Sequence, residues 1–141
     1  AYQVLRRITP AMRALPAGQT GAEPFCYVDA FAGASWPWPG WNCLGWWTAT
    51  GGWVLQLVVE WMYGARAEHA GLKIKPCLPA DWTSARVIRH FRDAVYDIAI
   101  SKPAGSCGGN VKLVVDGLPV DGDILPVFPP GTTHQVACRI E

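Results

Sequence analysis

The sequence predicts an α+β chain, helical to about Arg66 and built of short strands from there to Glu141. In the first part the apolar residues follow a helical period: Val4, Leu5 and Ile8 share one face, and an apolar run fills Trp53–Tyr63. After Gly64 the period becomes two, as in Gly71-Leu72-Lys73-Ile74-Lys75. Short strands then recur at regular spacing between turn signals, the pattern of an antiparallel β-sandwich. Helices followed by strands imply two structural parts, 1–66 and 67–141.

Ala1–Ile8 reads as the end of an amphipathic helix, stopped near Pro10. Residues 11–22 contain Pro16, Gly18 and Gly21 and form a loop with at most one helical turn. Pro24 fits the first turn of a second helix, where its missing N–H costs nothing, with Phe25, Val28 and Ala32 turned inward. Gly33–Gly45 is a loop, because Pro37 and Pro39 prevent regular structure, and it presents Trp36, Trp38 and Trp41. Thr48 or Thr50 caps the next helix, Trp53–Tyr63. That helix is apolar nearly all round, so it is expected to be enclosed by protein. Gln56 and Glu60 are four apart on one of its faces, where buried hydrogen bonds are expected, and Gly64 is its C-cap.

In the β part, Arg86–Phe91 and Ala94–Ile100 form two strands joined at Arg92-Asp93, with Tyr96, Ile98 and Ile100 on one face. Val111–Val115 meets Asp116-Gly117, a strong hairpin signal. The last strand sets His134, Val136, Cys138 and Ile140 against Gln135, Ala137, Arg139 and Glu141. Asp81, Asp93, Asp97, Asp116, Asp121 and Asp123 read as turn or strand-surface residues. His90 and His134 read as surface or cross-strand residues rather than catalytic ones.

Half of the 141 residues are apolar and 16% are charged, enough for a sizeable core. A net charge of +1 gives no electrostatic case for a nucleic acid or an anionic membrane. The five cysteines are odd in number and show neither C-x-x-C nor Cys/His zinc spacing, so no metal is expected. Thiols of this kind point to a reducing compartment and a cytoplasmic location. No apolar run reaches membrane-spanning length. The chain starts at Ala1 within a helix-like pattern, so it is expected to be a piece of something longer. Eight Trp supply flat surfaces suited to cores, interfaces and sugar stacking.

The stretch Trp46-Trp47-Thr48-Ala49-Thr50-Gly51-Gly52-Trp53 places small residues and hydroxyls at a helix mouth. Unpaired N–H groups and the positive dipole end suit an anion there. A capped core helix with aromatic packing above it is the plainer alternative.

Four motifs in order resemble a known family: Glu23-Pro24-Phe25, then Trp46 to Trp53, then Gly71-Leu72-Lys73-Ile74-Lys75-Pro76-Cys77-Leu78-Pro79-Ala80-Asp81-Trp82, then Phe91-Arg92-Asp93-Ala94-Val95-Tyr96. They are similar to E-P-Y, W-L-T-G-T-A-x-W, G-L-x-I-x-P-C-I-P-x-x-W and F-R-G-A-x-Y in the C-terminal part of glycoside hydrolase family 94. That family comprises cellobiose-type disaccharide phosphorylases, with cyclic β-1,2-glucan synthases as relatives. The resemblance runs from about Tyr2 to Val120. It implies the last helices of an (α/α)6 barrel followed by a C-terminal β-sandwich domain.

The implied reaction cleaves a β-glucoside with inorganic phosphate and inverts the anomeric centre, with no other cofactor. Phosphate replaces the base-activated water of an inverting hydrolase, so one carboxylic acid suffices to protonate the leaving oxygen. The resemblance puts phosphate on Thr48 and Ala49, where Ala49 replaces the family Gly. It puts the donor sugar on Asp29, which replaces a Gln, with Glu23 and Trp47 as further substrate contacts. Glu23 reads equally as the acidic start of a helix, and Phe25 replaces the E-P-Y tyrosine. These departures imply an altered specificity or a member that has lost activity. The general acid and a phosphate-contacting His are expected upstream, so the fragment alone is expected to be inactive. Expected partners are a β-linked disaccharide or gluco-oligosaccharide, phosphate, and the remainder of the parent chain or a homodimer partner. Two alternatives stay open: a non-catalytic carbohydrate-binding or structural module, and the matching region of a glucan synthase, whose parent would be associated with the inner membrane.

Overall fold

The computed structural model describes residues 2–10, 17–23, 25–43 and 45–141. The chain forms two compact units, Ala1–Leu55 and Gln56–Glu141.

The first unit begins with α1 (Tyr2–Ile8), followed by α2 (Ala17–Thr20), the single turn expected within the first loop. The rest of that loop at 11–16 lies outside the described residues, as does Pro24, on which the second expected helix was to start. No helix follows at 25–32. The segment instead extends into β1 (Ala30–Phe31), antiparallel to β2 (Asn42–Cys43) with Phe31 opposite Asn42. The reason lies in the burial, which alternates: Cys26 and Val28 are inside, whereas Phe25 is 86% exposed. The Trp loop closes on this pair through Ala32 N–H to the Trp41 carbonyl at 2.8 Å and Gly40 N–H to the Ala32 carbonyl at 2.9 Å. α3 (Thr50–Gln56) comes next, with Val54 its buried residue.

A π-helical segment, Leu57–Met62, opens the second unit. The expected enclosure of this stretch is not found among the described residues, since Trp53, Leu55, Leu57 and Trp61 are exposed. Gln56 Nε2 does donate to Glu60 Oε2 at 3.1 Å, but on an exposed face rather than a buried one. Gly64, at φ +73°, ends the helical stretch as expected.

The strands of this unit form two sheets. β3 (Ala65–Ala67), β4 (Leu72–Ile74) and β9 (Ile124–Leu125) make a three-stranded antiparallel sheet in that order. The five-stranded sheet contains β5 (Ser84–Phe91), β6 (Ala94–Ser101), β7 (Val111–Val115), β8 (Leu118–Val120) and β10 (Thr133–Ile140). Its order is β5-β6-β10-β7-β8. β10 runs antiparallel to β7 but parallel to β6, so the sheet departs from the purely antiparallel expectation. After β8 the chain leaves for β9 in the other sheet, and it re-enters in the direction of β6.

The tight turn at Arg92-Asp93 has φ of 49° and 62°, and the Asp116-Gly117 turn 50° and 85°, the positive values that two-residue hairpins require. Leu72, Ile74 and Leu125 of one sheet share a single buried cluster with Tyr96, Ile98, Leu113 and Val136 of the other, an arrangement consistent with a β-sandwich. Tyr96 crosses the core: its hydroxyl donates to the Pro126 carbonyl at 2.9 Å and accepts from Phe128 N–H at 3.3 Å. Asp97 is not the surface residue expected. It is buried and takes two hydrogen bonds from Arg86, one of 2.7 Å from Nε, and these hold its carboxyl below the usual range. No helix among the described residues is long and apolar enough to cross a membrane.

Candidate functional site

The Ala49 carbonyl accepts the helical hydrogen bond from Trp53 N–H at 3.0 Å, so Ala49 occupies the cap position of α3 and Thr48 precedes it. The Thr48 hydroxyl hydrogen goes to Asp29 Oδ1 at 3.2 Å. With that hydrogen committed, Thr48 Oγ1 accepts from the Thr50 N–H at 3.2 Å and from the Thr50 hydroxyl at 2.8 Å. A hydroxyl has one hydrogen and two lone pairs, so Thr48 is saturated. Both threonines thus serve the helix start, Thr48 as the acceptor and Thr50 as its first residue.

Tyr27 and Gly45 closely precede Asp29 and Thr48, respectively, in the chain. The Tyr27 hydroxyl meets Thr9 Oγ1 at 3.3 Å, and its ring lies 4.0 Å from where a Cβ on Gly51 would stand. One aromatic side chain therefore ties the end of α1 to the first turn of α3. At Gly45 an added Cβ would come within 2.8 Å of Cys26 Sγ, so a larger residue there would force the buried Cys26 side chain to shift. The same Cβ position is 3.7 Å from Glu23 Oε2.

Of the five residues expected at the site, Asp29 and Thr48 are joined directly and Ala49 adjoins them in the chain. Trp47, 89% exposed, stands beside Thr48 in the chain, and Glu23 lies next to Gly45. Among the described residues no hydrogen bond or ring contact links Glu23 or Trp47 to the Asp29–Thr48 pair. The arrangement can accept sugar hydroxyls on Asp29, and it can offer the Thr48 hydroxyl to an anion once Asp29 releases it. No group of three or more His, Cys, Asp or Glu among the described residues could hold a metal ion.

Asn42 was not anticipated. Its side chain is buried, and among the described residues neither Oδ1 nor Nδ2 has a hydrogen-bond partner. It pairs with Phe31 across β1 and β2, two residues from Asp29. Nothing in a Trp/Pro/Gly-rich run distinguishes a buried Asn from an ordinary turn residue.

In the second unit, His134 has more partners than its strand pattern indicated. Its Nδ1 meets Asp116 Oδ2 at 2.6 Å and its Nε2 meets Thr132 Oγ1 at 2.8 Å. Asp116 Oδ1 also accepts Gln135 N–H at 2.9 Å, and the His134 hydrogen bond holds the Asp116 carboxyl below its ordinary range. The order Asp–His–Thr resembles a nucleophilic triad, but the Thr132 hydroxyl gives its hydrogen to the Pro129 carbonyl at 2.6 Å. Phe128 stacks on the imidazole with centroids 3.6 Å apart. The group is a cross-strand clamp between the Asp116 turn and β10, and Thr132 is not an activated nucleophile.

No protein-family model matches the chain. Among characterised proteins, the chain is similar to a solabiose phosphorylase of Paenibacillus borealis, 30% identical over 96% of this chain and 18% of the relative. It is 37% identical to a 3-O-beta-D-glucopyranosyl-beta-D-glucuronide phosphorylase of the same organism, over 100% of this chain and 18% of the relative. An N,N'-diacetylchitobiose phosphorylase of Vibrio proteolyticus is 32% identical over 82% of this chain and 14% of its own length. The chain therefore spans less than a fifth of these relatives.

Proposed function

The chain belongs to glycoside hydrolase family 94, matching the C-terminal part of its disaccharide phosphorylases, and we propose that it supplies one wall of a glucosyl–phosphate site in an inverting phosphorylase of β-linked glucosides. In this reading 1–66 contributes the last barrel helices and the loop that faces substrate, and 67–141 is the C-terminal β-sandwich domain. The parent protein works in the cytoplasm, with phosphate as co-substrate.

The observation that carries the proposal is the hydrogen bond between Thr48 and Asp29, which stand 19 positions apart. The resemblance puts one on phosphate and the other on sugar, and they lie within contact of each other. In the reaction a phosphate oxygen forms a bond to the anomeric carbon while the glycosidic C–O bond breaks on the opposite face. The departing oxygen takes a proton from a carboxylic acid that is assigned to no residue of this chain. Asp29 accepts hydrogen bonds from the donor-sugar hydroxyls. As it turns to the sugar, the Thr48 hydroxyl is released to donate to phosphate, exchanging one charge-assisted bond for another. Ala49 narrows the approach that a glycine would leave open.

The test is a titration of the chain with inorganic phosphate and with methyl β-glucoside, separately and together, followed by Trp fluorescence. Sugar binding that strengthens phosphate binding supports the proposal. Phosphate binding that is unaffected by Thr48→Val refutes the assignment. A second reading, a non-catalytic sugar-binding module, is favoured by the exposure of Trp36, Trp38 and Trp47, at 59%, 68% and 89%. Sugar binding that is indifferent to phosphate and lost on Trp47→Ala selects that reading.

A further inference from the structure

We propose that Cys77 and Cys107 form a peroxide-sensitive dithiol pair, which closes to an intramolecular disulfide and staples the β6–β7 connection to the segment after β4. Both cysteines are free and exposed, whereas Cys26 and Cys138 are buried. They are separated by the whole β5–β6 hairpin, and the fold docks the two segments that carry them against each other.

The segments that carry them are already docked. Gly105 N–H donates to the Ala80 carbonyl at 3.0 Å. The buried Lys102 ammonium donates to the Ala80 carbonyl at 3.3 Å and to the Ser106 carbonyl at 2.6 Å, bridging the same two segments. At Gly108 an added Cβ would stand 3.2 Å from the Pro76 carbonyl oxygen and 3.9 Å from the Cys77 Cα. Ala80 therefore faces Gly105, and Cys77 faces Gly108, an antiparallel register. Cys107 lies between Ser106 and Gly108, both of which are held against the 76–80 segment. Cys77 is itself anchored by its N–H to the Met62 carbonyl at 2.9 Å.

A disulfide needs Cα atoms roughly 4.4–6.8 Å apart with Cβ atoms turned toward each other. Cys107 is one residue from Gly108, the position where an added Cβ would approach the Cys77 Cα. Gly105, Gly108 and Gly109 around it allow the backbone adjustment that brings its side chain across. The step balances with hydrogen peroxide as oxidant. One thiolate attacks a peroxide oxygen, is oxidised to the sulfenic acid and releases hydroxide. The second thiol attacks that sulfur, forming the S–S bond as water leaves and the peroxide oxygens end fully reduced. The product constrains the unfolded chain across the whole β5–β6 hairpin.

The experiment treats the reduced chain with hydrogen peroxide, quenches it with iodoacetamide, and maps peptides by mass spectrometry without reductant. The expected result is a Cys77–Cys107 linked peptide lighter by two hydrogens, reversed by dithiothreitol, with a raised melting temperature in the oxidised chain. Cys107→Ser and Cys77→Ser each abolish both the link and the shift. Peroxide that leaves Cys77 and Cys107 as separate sulfinic or sulfonic acids overturns the proposal. A disulfide between two copies of the chain, or between either cysteine and another, overturns it equally.

Discussion

Thr48 donates its hydroxyl hydrogen to the Asp29 carboxylate, 3.2 Å away, while its oxygen takes the Thr50 N–H that opens α3. One hydroxyl therefore serves a helix start and a carboxylate at once. Any anion that uses Thr48 must first displace the negative charge of Asp29.

That competition predicts opposite effects at the two residues. Asp29→Asn removes a unit charge next to the hydroxyl, so phosphate is expected to bind more tightly, by about tenfold for a like-charge interaction relieved near the surface. Thr48→Val removes the donor and is expected to weaken phosphate by about tenfold or more, with Thr48→Ser close to wild type. Calorimetric titration with inorganic phosphate reads both.

Asn42 carries a buried amide with no hydrogen-bond partner among the described residues. A polar group in that position opposes folding, so Asn42→Leu, of similar volume, is expected to leave the urea midpoint of the free chain unchanged or raised. A drop of about 1 kcal/mol or more would mean that the amide is bonded in solution.

Tyr96 is expected to be the most sensitive position in the β unit. Tyr96→Phe leaves the Pro126 carbonyl and the Phe128 N–H without their buried partner, at about 1–3 kcal/mol. Tyr96→Ala adds a core cavity and is expected to cost about 3–5 kcal/mol. Urea denaturation followed by far-ultraviolet circular dichroism separates the two.

Asp97 and Asp116 both have carboxyl pKa values lowered from 3.8, the first by hydrogen bonds from Arg86 and the second by the one from His134. A depressed folded-state value adds stability above the unfolded pKa, and this is lost as pH falls through the folded one. The wild-type chain is therefore expected to lose stability below 3.8, and Arg86→Gln and Asp116→Asn to lose less over the same range. Urea midpoints measured at neutral pH and in acid give the comparison.

The β unit was largely legible in the sequence. Alternation in Thr133–Ile140 predicts the buried series Val136, Cys138 and Ile140, and Asp116-Gly117 predicts the turn that forms. These signals are local, because pleat and turn chemistry act on neighbouring residues. The parallel pairing of β10 with β6 was not legible, since it depends on where the chain travels after β8. The helix expected after Pro24 failed for a related reason: Cys26 and Val28 fit an extended strand entry as well as a helical face, and pairing with the Trp loop decided between them. Of the candidate site, Thr48 and Asp29 are singled out by the order of four motifs and are joined by one hydrogen bond, whereas Asn42 carries no signal in the sequence.

Cys138 supplies a check on the register of β10. Burial pushes its thiol up to about 12, so it is expected to resist alkylation at pH values where exposed Cys77 and Cys107 react completely. Labelling of the native chain followed by peptide mapping tests this. Reaction of Cys138 at the rate of Cys77 would mean that the strand is turned the other way.

β10 occupies the middle of the five-stranded sheet, yet it is the last strand in chain order. During synthesis the β5–β6 and β7–β8 hairpins are therefore complete before the strand between them exists. Until it arrives, β6 and β7 both present open edges with unpaired backbone groups, the surfaces through which strands of different molecules pair. The hazard of misassembly thus falls in the interval before Thr133–Ile140 leaves the ribosome. A chain that stalls or is cut there has lost the middle of its sheet rather than a tail.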